Sequence, residues 1–124
     1  PPPPAGTAGW TAPEILEPPP DGVGDPRAAD VFSYGILIWA VLAGPGAESP
    51  LTGLVGEVYV EALSQGRRPQ FAQDCSRYPE AELAAQCWRF DAARRPAMSE
   101  VFSRIRAIET HLDGAACGCC WKPW

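Results

Sequence analysis

The side chains best suited to chemistry on their own are concentrated at the C-terminal end of this sequence. Cys117, Cys119 and Cys120 lie close together, and His111, the only histidine, precedes them. Thiolates and imidazoles bind zinc, but zinc sites usually have four ligands at regular spacing. A zinc site here would need the distant histidine, and S-acylation has no basic or amphipathic segment to support it. We therefore expect residues 113–124 to be a divergent, disordered Cys/Trp-rich tail, with zinc binding and lipidation as the alternatives.

An apolar stretch from Asp30 to Gly44 is the element that the rest of the chain must surround. Its apolar residues fall on every side of a helical wheel, which is typical of a buried core helix or a membrane span. A span needs about 20 apolar residues, and Asp30, Ser33 and Gly35 interrupt this stretch. The pattern therefore predicts a central buried helix, with Trp39 in the core.

Four further segments have helical spacing of their apolar residues or helix-starting residues at their first turn. They are Pro13–Glu17, Leu54–Gln65, Glu80–Phe90 and Glu100–Leu112. The apolar side of the second includes Val58 and Tyr59, and that of the fourth includes Val101 and Phe102. The third places Trp88 in the core, and no segment reads convincingly as a strand. The sequence predicts an all-α, loop-rich fold.

The composition supports one domain with a packed core, because 46% of the 124 residues are hydrophobic. The net charge of −5 disfavours nucleic acid as a partner. The proline-rich N-terminus has no initiator Met and no secretory signal, so we expect a piece of a longer protein. The five cysteines do not resemble a disulfide framework. We expect a cytoplasmic protein that binds neither nucleic acid nor membrane.

Three motifs, in order, carry more information than any one of them. They are G-T-x-x-W-x-A-P-E at 6–14, D-x-x-S-x-G at 30–35, and C-W followed six residues later by R-P at 87–96. Together they resemble the C-terminal lobe of protein kinases, from the end of the activation segment to the last helix. The segments at 39–44, 59–69 and 86–88 resemble most closely the receptor-interacting serine/threonine kinases of the tyrosine-kinase-like group.

The resemblance implies roles for five residues. Glu14 and Arg95 would form the ion pair that ties the activation segment to the lower lobe, since arginine can hold a carboxylate through two hydrogen bonds. Asp30, at the start of the central helix, would accept backbone N–H bonds from the catalytic loop. Thr7 and Trp10 would shape the surface on which the substrate residue after the phosphoacceptor rests.

Most of the machinery for phosphoryl transfer is missing from the chain. The reaction needs a glycine-rich loop, a strand lysine, a catalytic-loop aspartate and asparagine, and a metal-binding aspartate. No lysine precedes Lys122, and neither an HRD nor a DFG triplet occurs. The resemblance thus implies a partial kinase domain over residues 1–112 without the N-lobe. It implies no catalytic, cofactor-binding or metal-binding residue in this chain, with ATP and Mg²⁺ bound only in the intact parent.

Two hypotheses about function remain open at this point. The chain is either part of an active serine/threonine kinase, where it supplies the substrate platform and structural base, or a truncated or pseudokinase module that acts only as a protein-interaction unit. The resemblance implies protein substrates and signalling adaptors as partners. In either case we expect exposed apolar surface on the central helix, because the kinase helices that would cover it are not in the sequence.

Overall fold

The computed structural model describes residues 9–22 and 24–112, and every regular element within these ranges is helical. The α-helices, α1 to α5 in chain order, are Pro13–Leu16, Pro26–Ala43, Gly56–Ser64, Pro79–Cys87 and Met98–Leu112. A 3₁₀ turn at Ala92–Arg94 precedes α5. The predicted all-α class is confirmed. The predictions for Thr7 and for the tail at 113–124 lie outside the described residues.

Helix α2 is the central helix, and it begins earlier than the predicted start at Asp30. The Asp25 carboxylate accepts a hydrogen bond of 2.9 Å from the Arg27 N–H, and Pro26 occupies the first helical position. An aspartate cap followed by proline starts a helix well, because proline lacks an N–H that would be unpaired there. Asp30 therefore lies in the second turn of α2. The helix ends before Gly44, whose φ of 78° favours glycine.

The core forms chiefly where α2 packs against α4. Phe32 and Ile36 of α2 and Leu83 of α4 are fully buried. Gly35 permits the close approach of the two helices, because a Cβ atom at this position would lie 2.8 Å from the Cβ of Cys87. Helix α5 packs on α4, and α3 packs on α1, so the other helices surround part of α2.

Two tryptophans complete the core in the predicted way. Trp39 and Trp88 are only 6% and 7% exposed. The Trp39 indole N–H donates to the Gln70 carbonyl at 2.9 Å, and the Trp88 ring stacks on Phe71 with centroids 5.8 Å apart. Each ring thus anchors the loop between α3 and α4 as well as filling volume.

Several apolar residues assigned to buried helix faces are exposed instead. Val58 of α3 is 62% exposed and Phe102 of α5 is 61% exposed. Helical spacing predicts one apolar side that contains both Val58 and Tyr59, and another that contains both Val101 and Phe102. Adjacent residues are about 100° apart around a helix, and only Tyr59 and Val101 face the core. On α2, Leu37 and Val41 are 43% and 51% exposed, which confirms the expected apolar surface there.

By length and composition alone, α2 could cross a membrane, since it has 18 residues and a mean hydropathy of 1.2. The sequence argument about length applied to the stretch from Asp30, whereas the helix begins four residues earlier at Pro26. Core helices of soluble proteins pass the same test, and in the described part of the chain the buried side of α2 packs against α4. The burial of Phe32 and Ile36 in that contact accounts for the composition of the helix.

The two cysteines of the described residues differ in state. Cys75 is disulfide-bonded, whereas Cys87 is a free and buried thiol. Sequence spacing could not show this, because a disulfide depends on two Cα atoms coming within about 4.4–6.8 Å in the folded chain.

Candidate functional site

The predicted partners Glu14 and Arg95 lie together, although 81 positions separate them in the sequence. The Arg95 Nη1 donates to Glu14 Oε1 at 2.6 Å, and Nη2 donates to Oε2 at 3.0 Å. The two parallel bonds use the planar fork that arginine offers to a carboxylate. The Arg95 side chain is 0% exposed and that of Glu14 is 13% exposed, so the pair is largely removed from water.

The guanidinium of Arg95 also organises the backbone around it. Its Nε donates to the Arg89 carbonyl at 2.8 Å, its Nη1 to the Ala28 carbonyl at 2.9 Å, and its Nη2 to the Phe90 carbonyl at 3.2 Å. With the two bonds to Glu14, these bonds use all five N–H donors of the side chain. The group also lies over the Phe32 ring, 5.1 Å from its centroid. One side chain therefore joins α1, the start of α2 and the segment after α4.

Hydrogen bonds from side chains of α2 and α3 fix the backbone of the segment from Gly9 to Ala12. The Ser33 hydroxyl of α2 donates to the Trp10 carbonyl at 2.8 Å. The Tyr59 hydroxyl of α3 donates to the Thr11 carbonyl at 2.6 Å. Burial raises the pKa of the Tyr59 hydroxyl to about 12, with a smaller opposing effect from the charge of Arg68. The phenol therefore remains a hydrogen-bond donor throughout the neutral range.

The other residues predicted to form the platform are placed less completely. Trp10 is half-buried against the core, in the segment just described. Thr7 lies outside the described residues. The Asp30 side chain is exposed, and its carboxylate makes no hydrogen bond or ion pair within residues 9–22 and 24–112. The structure thus unites Glu14, Arg95 and the backbone at Trp10, while the anchoring role of Asp30 stays a prediction.

Arg68 is a structural residue to which the sequence pattern assigned no role. Its Nε donates to the Trp88 carbonyl at 2.9 Å, and its Nη1 donates to the Leu63 carbonyl at 2.9 Å. Burial lowers the pKa of the Arg68 guanidinium from its ordinary value. Like Arg95, it lies near the Phe32 ring, at 5.9 Å. The R-R-P triplet at 67–69 was the available signal, but it does not say which carbonyls the arginine would reach.

The described residues contain neither a cluster of metal-ligating side chains nor an activated thiol. Within them, no group of three or more His, Cys, Asp or Glu side chains could hold a metal ion. Burial raises the pKa of the Cys87 thiol to about 11, so this thiol stays protonated and is a poor nucleophile at neutral pH. What the arrangement can do is hold the 9–17 segment rigidly on a helical base.

Comparisons with known proteins agree on the family. The model of the family described as "Protein tyrosine and serine/threonine kinase" matches residues 5–105. The chain is 38% identical over 104 residues to serine/threonine-protein kinase STY17 of Arabidopsis thaliana, covering 83% of this chain and 17% of that protein. It is 30% identical over 112 residues to human mitogen-activated protein kinase kinase kinase 7, covering 89% of this chain and 17% of that protein.

These relatives are serine/threonine kinases of the tyrosine-kinase-like group, and the chain spans less than a fifth of the length of each. The matched region contains both halves of the Glu14–Arg95 pair and all of α2. The chain belongs to the protein tyrosine and serine/threonine kinase family, of which it represents part of the kinase domain.

Proposed function

We propose that this chain is the substrate platform and structural base of a serine/threonine kinase whose intact form transfers the γ-phosphoryl group of ATP to protein hydroxyls. The observation that carries this proposal is the buried Glu14–Arg95 pair, which fixes the 9–17 segment on α2 and on the segment before α5. A substrate platform must present its backbone in one geometry, because misplacement of about 1 Å can cost a large factor in rate.

Trp10 and Thr7 would form the part of the platform that meets the substrate. The Ser33 hydroxyl fixes the backbone at Trp10 by donating to its carbonyl, and the exposed part of the half-buried ring would contact the peptide. Asp30, exposed on α2, would accept N–H bonds from a catalytic loop supplied by the parent. The parent would also supply the residues for ATP and Mg²⁺, and we derive no chemical step through either group.

The proposal is tested on the longest polypeptide that the transcript encodes. We expect that polypeptide to phosphorylate serine or threonine in a protein substrate with Mg-ATP, and the 124-residue chain alone to show no Mg-ATP binding by calorimetry. A Glu14→Gln variant of the full polypeptide should lose most activity while a Glu48→Gln variant, at an exposed carboxylate away from the pair, retains it. A full polypeptide without a strand lysine and without nucleotide binding would contradict the proposal and favour the pseudokinase alternative.

Partners and location are part of the same proposal. Protein substrates follow from membership of the family, and signalling adaptors, a receptor-interacting subtype and a cytoplasmic location are proposed with them. Fractionation of cells with an antibody against the chain tests the location directly, and recovery in a secreted or luminal fraction would refute it.

A further inference from the structure

An open groove of about 580 Å³ lies between the end of α1, helix α3 and the segment after α4. Glu17, Val58 and Phe90 line it from these three elements, together with Glu57 and Glu61 of α3. The volume is in the range of about 300–1,000 Å³ that is usual for binding pockets. The groove does not overlap the contacts that Ser33 and Tyr59 make beneath the 9–12 segment.

The walls of the groove are fixed by contacts already described. Glu17 follows the α1 residues that Glu14 anchors to Arg95, and the Phe90 carbonyl accepts a bond from the same guanidinium. The opposite wall, α3, is held to the 9–12 segment by Tyr59. A groove whose sides are tied together in this way is preorganised, so a ligand would spend little free energy on ordering it.

The lining is both apolar and negatively charged. Val58 is 62% exposed and Phe90 is 44% exposed, so both offer apolar surface to a ligand in the groove. The charged lining residues are Glu17, Glu57, Glu61 and Arg67, so three carboxylates and one guanidinium leave a net charge of −2. Among the described residues, Glu17 and Glu57 have no side-chain hydrogen bond or ion pair, whereas Glu61 accepts from Gln65 at 2.9 Å.

From this combination we propose that the groove docks a basic protein segment, whose lysine or arginine side chains meet Glu17 and Glu57 while an apolar side chain packs on Val58 and Phe90. The negative lining repels nucleic acid and other anions. No carboxylate cluster there could hold a metal ion, within the part of the chain that is described. The docking does not depend on phosphoryl transfer, so it adds a binding function to the proposed substrate platform.

The test uses the full 124-residue chain and fluorescence anisotropy of two labelled peptides. One peptide carries four lysines around a central leucine and phenylalanine, and the other carries glutamates in place of the lysines. We expect saturable binding of the lysine peptide only, weakening as salt is raised, because partly exposed ion pairs are screened. A Glu17→Gln/Glu57→Gln variant should bind the lysine peptide about three- to tenfold more weakly.

A matched control removes the same charge elsewhere. Glu48→Gln/Glu82→Gln also changes one loop carboxylate and one carboxylate in the first turn of a helix, and both side chains lie outside the groove. Its affinity should stay within about twofold of the unsubstituted chain. If circular dichroism shows that the groove variant is unfolded, Val58→Ala decides, with an expected loss of about threefold.

Four results would overturn the proposal. They are no saturable binding of the lysine peptide, equal binding of the two peptides, equal weakening by the control variant, and self-association of the chain that the lysine peptide does not reverse but the Glu17→Gln/Glu57→Gln variant abolishes. The last result would show that a second copy of the chain occupies the groove. Loss of kinase activity in the intact parent would leave the peptide result unchanged, so the two proposals fail separately.

Discussion

Substitution of Glu14 by glutamine tests whether the Glu14–Arg95 pair holds the fold together. Glutamine keeps the shape of the side chain and one acceptor, but it removes the charge and turns the second acceptor into a donor that faces Arg95. The guanidinium, whose side chain is 0% exposed, would then be buried without a counter-charge. The substitution therefore isolates the charge from the packing.

The structure gives the size of the effect. Breaking a buried ion pair by removing one partner costs about 3–5 kcal/mol. The carbonyls of Ala28, Arg89 and Phe90 still accept bonds from Arg95, so we expect a loss at the lower end, about 3 kcal/mol. In a domain with a total stability of about 5–15 kcal/mol, this is a large fraction of the free energy of unfolding.

Urea unfolding followed by tryptophan fluorescence measures this free energy, since the chain contains five tryptophans. Glu17→Gln is the control, because Glu17 is exposed in the same segment, and it should change the free energy by less than about 0.5 kcal/mol. A double-mutant cycle with Arg95→Met should give a coupling energy of about 2 kcal/mol or more. A Glu14→Gln loss below about 0.5 kcal/mol, or an additive cycle, would refute the reasoning.

Three further variants test the packing of the helices and the exposed surface of α2. Gly35→Ala should destabilise the chain by about 1–3 kcal/mol in urea unfolding, because its methyl group would meet Cys87; unchanged stability would contradict the close approach. Tyr59→Phe should cost about 1 kcal/mol. The pKa of Tyr59 is about 12 in the folded chain and about 10 in the unfolded chain. Between these two pH values only the unfolded chain loses the phenol proton, so the free energy of unfolding should fall as pH rises from about 10 to about 12. That loss should be smaller in Tyr59→Phe. Absorbance at 295 nm should show a tyrosinate signal near pH 12 that Tyr59→Phe removes, and an unchanged titration curve in this variant would refute the raised pKa. Replacing Leu37 and Val41 with lysine should reduce binding of a hydrophobic dye without loss of stability; unchanged dye binding would place the exposed surface elsewhere.

The sequence predicted which segments form helices better than it predicted which face of each helix is buried. Helix α2 was recognisable from its apolar run, and its start was missed because that run begins at Asp30, whereas the cap and first helical residue are Asp25 and Pro26. The exposure of Val58 and Phe102 could not be predicted, because periodicity defines a stripe on a helix but not which edge of the stripe meets the neighbouring helix.

Some contacts of the candidate site could be predicted from the sequence and others could not. No periodicity connects Glu14 with Arg95 across 81 positions, and only the order of the three motifs suggested that they meet. The hydroxyls of Ser33 and Tyr59 were invisible as site residues, because their partners are backbone carbonyls, which any residue carries. Side chains that recognise backbone are therefore the part of a site that sequence patterns conceal.

The backbone carbonyls that Arg95 contacts explain why an arginine occupies this buried position. A well-packed apolar pair can be as stable as a buried ion pair, so stability alone does not explain Arg95. The carbonyls of Arg89 and Phe90 lie between α4 and the 3₁₀ turn, outside any helix, and Arg95 donates a hydrogen bond to each. A methionine or leucine would remove both of these donors, whereas the five donors of arginine pair with the carbonyls and still hold Glu14. The side chain thus couples the 9–17 segment to the segment after α4, which explains why the platform and the wall of the groove share one residue.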